Sequence, residues 1–92
     1  MERFKDKVVF LTGVATGIGE ATAKRMAAEG ASLYIVDVAQ TELESTAQAC
    51  RKLGADVASQ TCDVSNETEV ARSAEEMLDR FGKVNVVANV AG

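Results

Sequence analysis

Thr12-Gly13-Val14-Ala15-Thr16-Gly17-Ile18-Gly19 is the stretch that decides the fold. Immediately before it, Val8-Val9-Phe10-Leu11 is β-branched, aromatic and free of polar residues, the pattern of a strand buried on both faces. Immediately after it, the residues from Ile18 to about Glu29 are good helix formers, and Gly30 supplies the stop. The glycine cluster is therefore a turn that carries the chain from a buried strand directly into a helix.

The same alternation continues downstream. Leu33-Tyr34-Ile35-Val36 reads as a second buried strand, ending at Asp37. Thr41-Glu42-Leu43-Glu44 has the spacing of a capping box, and Leu43, Ala47, Cys50 and Leu53 behind it share one helical face up to Gly54. Val57 to Val64 is a more polar strand, as an edge strand would be. Ser65 is the expected cap of a third helix, with Glu67 and Glu69 in the first turn, where the helix dipole favours acids. Val70, Ala74, Met77 and Phe81 are its expected buried face, and Gly82 follows. Val84 to Val90 is the fourth strand. The order β-α-β-α-β-α-β predicts an α/β fold: a doubly wound parallel sheet with right-handed connections and helices on both faces.

Composition limits what such a fold does. Ninety-two residues suit one small domain or part of a larger one, and 47% apolar with 26% charged residues is ordinary for a globular chain. A net charge of -4 argues against a nucleic-acid or anionic-membrane surface. No apolar run approaches the roughly 20 residues of a membrane span, and the charged N-terminus lacks the pattern of a signal peptide. A cytoplasmic protein is the expectation. With no histidine there is no Ser-His or Cys-His dyad and no imidazole for a metal. Cys50 and Cys62 form no CxxC pair and read as reduced packing residues.

The chemistry lies in the turn. Glycines let backbone amides approach an anion without interference from Cβ atoms, and the helix N-terminus adds unpaired N–H donors and about half a positive charge. An acidic chain can thus hold a pyrophosphate through its backbone, with Thr16 adding a hydroxyl donor. The Gly-Lys-Ser/Thr ending of a triphosphate loop is absent. Asp37 follows about 20 residues on, where a carboxylate accepts hydrogen bonds from the hydroxyls of an adenosine ribose. A 2′-phosphate there would meet like charge, about 4 kcal/mol for unit charges at ~4 Å before screening. Val14, Ala15, Thr16, Val38 and Ala39 offer no compensating base, so NAD(H) is expected over NADP(H). The plainer readings are that the glycines only make a tight turn and that Asp37 only caps one.

Over its whole length the chain resembles the short-chain dehydrogenase/reductase family. Thr12-Gly13-x-x-x-Gly17-Ile18-Gly19 matches that family's TGxxxGIG turn, and Asp37 matches its NAD-type acid. Asp63-Val64 resembles the pair that meets the adenine ring, and Asn89-Val90-Ala91-Gly92 resembles the NNAG segment bordering the cofactor's ribose. The resemblance implies a Rossmann-type fold and an NAD site built from Gly13, Thr16, Gly17, Ile18, Gly19, Asp37, Val38, Asp63, Val64, Asn89, Ala91 and Gly92. Asp63 and Asn89 read equally well as a helix-approach turn and a strand-end polar cap. Val90 departs from the second Asn of the segment, and Asn85 stands where an Asp often opens the fourth strand.

The family's chemistry rests on a Tyr, a Lys four residues later and a Ser. The one tyrosine here is Tyr34, and the residue four beyond it is Val38, so no catalytic residue is assigned. The reading is the N-terminal, NAD(H)-binding portion of an oxidoreductase that passes hydride between nicotinamide and an alcohol or ketone carbon, inactive by itself. A non-catalytic NAD-binding or assembly module is the alternative. An S-adenosylmethionine-dependent methyltransferase is a third, disfavoured by the three-residue gap between Gly13 and Gly17. The fourth strand is expected to be an exposed edge, open to self-association or to the remainder of a longer domain.

Overall fold

A computed structural model describes residues 3–14 and 17–89. Seven elements follow in order: β1 (Val8–Thr12), α1 (Gly17–Ala28), β2 (Ser32–Asp37), α2 (Gln40–Lys52), β3 (Val57–Thr61), α3 (Glu67–Phe81) and β4 (Val86–Asn89). The strands form one sheet in the order β3-β2-β1-β4. Every pairing is parallel, with Thr12 opposite both Val36 and Asn89, and Asp37 opposite Thr61. All four strands therefore end on the same side, and the polar residues that close them, Thr12, Asp37, Thr61 and Asn89, gather there. This is the doubly wound α/β architecture.

Alternation along the strands divides the core in two. On one face Val9, Leu11, Leu33 and Ile35 pack against Ala23 and Ala27 of α1 and Leu43, Ala47 and Cys50 of α2. The alanines let α1 lie close to the sheet. Leu11, Leu33 and Ile35 are fully covered, each contributing about 2 kcal/mol relative to exposure. On the other face Val8, Phe10, Tyr34, Val36 and Cys62 meet Met77 of α3. Phe10 and Tyr34 stack there, with ring centroids 5.6 Å apart. The two cysteines are free thiols, one in each layer. Among the described residues no helix is long and apolar enough to cross a membrane.

Several local expectations are corrected. Asn66, not Ser65, caps α3: its Oδ1 accepts from the amides of Thr68 at 3.0 Å and Glu69 at 3.2 Å. Ser65 is turned away onto Asp63, whose carboxylate is the stronger acceptor. Thr41 forms no capping box, because α2 starts at Gln40 with Ala39 as its N-cap and Glu44 is drawn to the Ser59 hydroxyl at 2.7 Å. Leu53 lies beyond the helix and is half exposed. On α3 only Met77 of the expected stripe is buried, together with Ser73; Val70, Ala74 and Phe81 are half-buried.

β3 stops at Thr61, short of Val64, and β4 starts at Val86 rather than Val84. Asn85 opens β4 well enough: its side chain accepts from Val8 N at 2.8 Å, and its amide donates to Val8 O at 2.9 Å. The loss of an acid there costs no hydrogen bond. β4 sits at the sheet margin with Val87 69% exposed, as expected for an edge strand.

Candidate dinucleotide site

The turn after β1 is shaped by close approach. Gly13 has φ +73° and Gly17 φ +63°, conformations that side chains rarely adopt. A Cβ placed on Gly19 would lie 1.8 Å from the Gly13 carbonyl oxygen and 2.8 Å from its carbon. Only glycine allows the first turn of α1 to rest on the end of β1. Gly13 N donates to Val36 O at 3.1 Å, so the turn begins as an extension of the sheet.

Over Gly17 the space is open: a Cβ there would meet nothing within 4 Å, and neighbouring Ile18 is 79% exposed. The first amides of the twelve-residue helix α1 have no partner within the helix. Glu20, the acid in that first turn, is paired with Lys24 Nζ at 2.8 Å. Its charge is offset, leaving the amides to set the local field.

Asp37 stands at the adjacent strand end. Its Oδ1 accepts from Ala39 N at 3.0 Å, which orients the carboxylate and starts α2. Val38 beside it is 62% exposed. Cys62 N donates to Asp37 O at 3.0 Å and leads to Asp63, whose Oδ1 accepts both Ser65 N at 2.9 Å and Ser65 Oγ at 2.6 Å. Those two bonds hold the Asp63 carboxyl below the usual carboxylate range. Val64 next to it is exposed. At the other margin Asn89 Oδ1 accepts the Thr12 hydroxyl at 2.9 Å, tying β4 to β1.

The strand ends bring Gly13, Gly17, Ile18, Gly19, Asp37, Val38, Asp63, Val64 and Asn89 to one side of the sheet. Thr16, Ala91 and Gly92 lie outside the described residues. The turn-making roles of Asp37 and Asp63 and the strand-tying role of Asn89 are all present. Thr12 and Thr46 are not among the expected site residues. Thr46 is buried on α2, and its hydroxyl donates to Val14 O at 3.1 Å. A polar residue next to Ala47 on an apolar helical stripe is the signal that points to it.

An apolar groove of about 470 Å³ runs along the outer flank of α1, over Phe4, Thr22 and Met26. At its rim the Arg3 guanidinium, assisted by Arg25, holds the Glu29 carboxyl below its usual range.

Residues 7–92 match the family model described as short chain dehydrogenase. The chain belongs to the short-chain dehydrogenase family. It is similar to the CLA biosynthesis dehydrogenase/reductase of Lactiplantibacillus plantarum, at 39% identity over all of this chain and 32% of that protein. It is likewise similar to levodione reductase of Leifsonia aquatica, at 41% identity over 98% of this chain and 34% of that one. Among solved structures, a short-chain dehydrogenase/reductase from Burkholderia phymatum in complex with NAD superposes with a TM-score of 0.88. It shares 37% identity, covering 95% of this chain and 31% of that one. The chain spans about a third of the length of the curated relatives it matches.

Proposed function

We propose that the chain binds NAD(H) at the strand ends, as the cofactor-binding portion of an oxidoreductase that moves hydride between nicotinamide and an alcohol or ketone carbon. The observation that supports this is the Gly13–Gly19 approach, which rests the start of α1 on the end of β1, next to the end of β2 that carries Asp37. In this reading Gly13, Thr16, Gly17, Ile18 and Gly19 hold the diphosphate, and Asp37 takes the adenosine ribose. Val38, Asp63 and Val64 border the adenine, while Asn89, Ala91 and Gly92 border the second ribose. The bound nicotinamide would supply the hydride acceptor or donor. This chain's residues bind and orient it, since Tyr34 is buried in the α3-side layer, away from the strand ends. The relative solved with NAD supports the choice of ligand.

The Asp37 charge supports NAD(H) over NADP(H), because neither Val38 nor Ala39 offsets a 2′-phosphate. Calorimetric titration tests the reading. NAD+ should bind more tightly than NADP+, and S-adenosylmethionine should give no heat. Asp37→Asn keeps an acceptor for Ala39 N yet removes the charge. It should weaken NAD+ about tenfold, as loss of a charged hydrogen-bond acceptor does, and narrow the gap to NADP+. Tighter binding of NADP+, or no dinucleotide binding by folded protein, would overturn the reading.

A further inference from the structure

A threonine inside a helix usually turns its hydroxyl back onto the carbonyl one turn earlier. Thr22 does so, donating to Ile18 O at 2.8 Å. Thr46 does not. Only 2% exposed, it sends its hydroxyl out of α2 to Val14 O, 32 positions away, at 3.1 Å. Val14 is fully buried and follows directly on Gly13. Its carbonyl belongs to the turn itself, and the turn's backbone is what would meet a diphosphate.

From this geometry we infer that Thr46 is a positioning residue, holding the Val14 carbonyl so that the glycine turn keeps the shape that receives a diphosphate. A buried main-chain acceptor needs a donor, and valine, of the same shape, would suit the surrounding apolar layer better in every other respect. The hydroxyl also links the turn to the helix that begins just after Asp37, where Ala39 N is already bound. The helix thus holds the turn through Thr46, and its N-cap residue Ala39 holds the carboxylate. The inference rests on the dinucleotide reading above and adds a residue that touches no ligand.

The test separates this positioning from plain stabilisation. Wild type, Thr46→Val and Thr46→Ser are titrated with NAD+, ADP and adenosine at a temperature where each is fully folded. Thr46→Val should weaken NAD+ and ADP about tenfold, the effect of one lost hydrogen bond, and leave adenosine, which has no diphosphate, within twofold. Thr46→Ser should restore both. If Thr46→Val does not fold, Thr46→Cys, whose thiol is a weak donor, takes its place with the same readouts. Unchanged NAD+ affinity, equal weakening of adenosine, or failure of Thr46→Ser to restore binding would overturn the inference and leave the dinucleotide reading standing. Wild type that binds no NAD+ would sink both.

Discussion

The two faces of the sheet are built differently. One is covered by two helices whose alanines lie directly on Val9, Leu11, Leu33 and Ile35, and Val14 of the glycine turn belongs to that same buried layer. The other is covered, among the described residues, by α3 alone, and its order comes from the Phe10–Tyr34 stack and from the Tyr34 hydroxyl, which donates to Glu76 at 2.9 Å. The candidate site is anchored on the first face. A turn whose backbone must hold a shape benefits from rigid surroundings, and the densely covered layer supplies them. The thinner layer carries polar adjustment, including an exposed aspartate turn at Asp63.

The largest effect that would break this comparison is a cavity on each side. Leu43→Ala removes a fully buried side chain between two helices and the sheet, where neighbours cannot collapse. It should cost about 3 kcal/mol in urea unfolding and weaken dinucleotide binding as the turn loosens. Met77→Ala, under the single helix, should cost about 2 kcal/mol and leave binding unchanged, because α3 is freer to settle. Equal binding losses from the two would show that the faces are not independent.

A smaller effect sharpens the account of α3. Asn66→Ala should lower stability by about 1 kcal/mol, the usual loss of a helix cap, whereas Ser65→Ala should change it by less than about 0.5 kcal/mol. Chemical unfolding of the two variants decides which residue begins the helix.

The smallest effect is alkaline. Burial first, and then the hydrogen bond to the Glu76 carboxylate, push the Tyr34 hydroxyl well above its ordinary value. Below pH ~10 the tyrosine is protonated in both folded and unfolded chains, and its contribution is constant. Above that pH the unfolded chain releases the proton and the folded one keeps it, so stability falls as pH rises. Because Glu76 lies at the solvent edge, screening should keep the loss under the ~1.4 kcal/mol per pH unit of one full proton. Urea midpoints at pH 9 and 11 should diverge more for wild type than for Tyr34→Phe, and parallel behaviour would remove Tyr34 from the alkaline limb.

Much of the fold is legible in the amino-acid sequence. Val8-Val9-Phe10-Leu11 and Leu33-Tyr34-Ile35-Val36 can be recognised as buried strands because their neighbours along the chain already exhaust the alternatives. The turn between β1 and α1 is legible for the same reason, since its glycines act over a few residues. Helix starts are less so. Ser65 and Asn66 are both good caps, and the role falls to Asn66 because Asp63 captures the serine. Glu44 suits a capping box until β3 brings Ser59 within reach.

Order of elements, the parallel sheet and the glycine-rich approach to a helix are settled by the chain's own pattern, because periodicity and φ preference are properties of neighbouring residues. Which polar groups meet is decided only by tertiary structure. Thr46 with Val14, Asn85 with Val8 and Tyr34 with Glu76 are pairs that lie far apart in sequence. A hydrogen bond needs atoms within about 3 Å, a distance no local pattern encodes until the sheet has closed and laid its helices down.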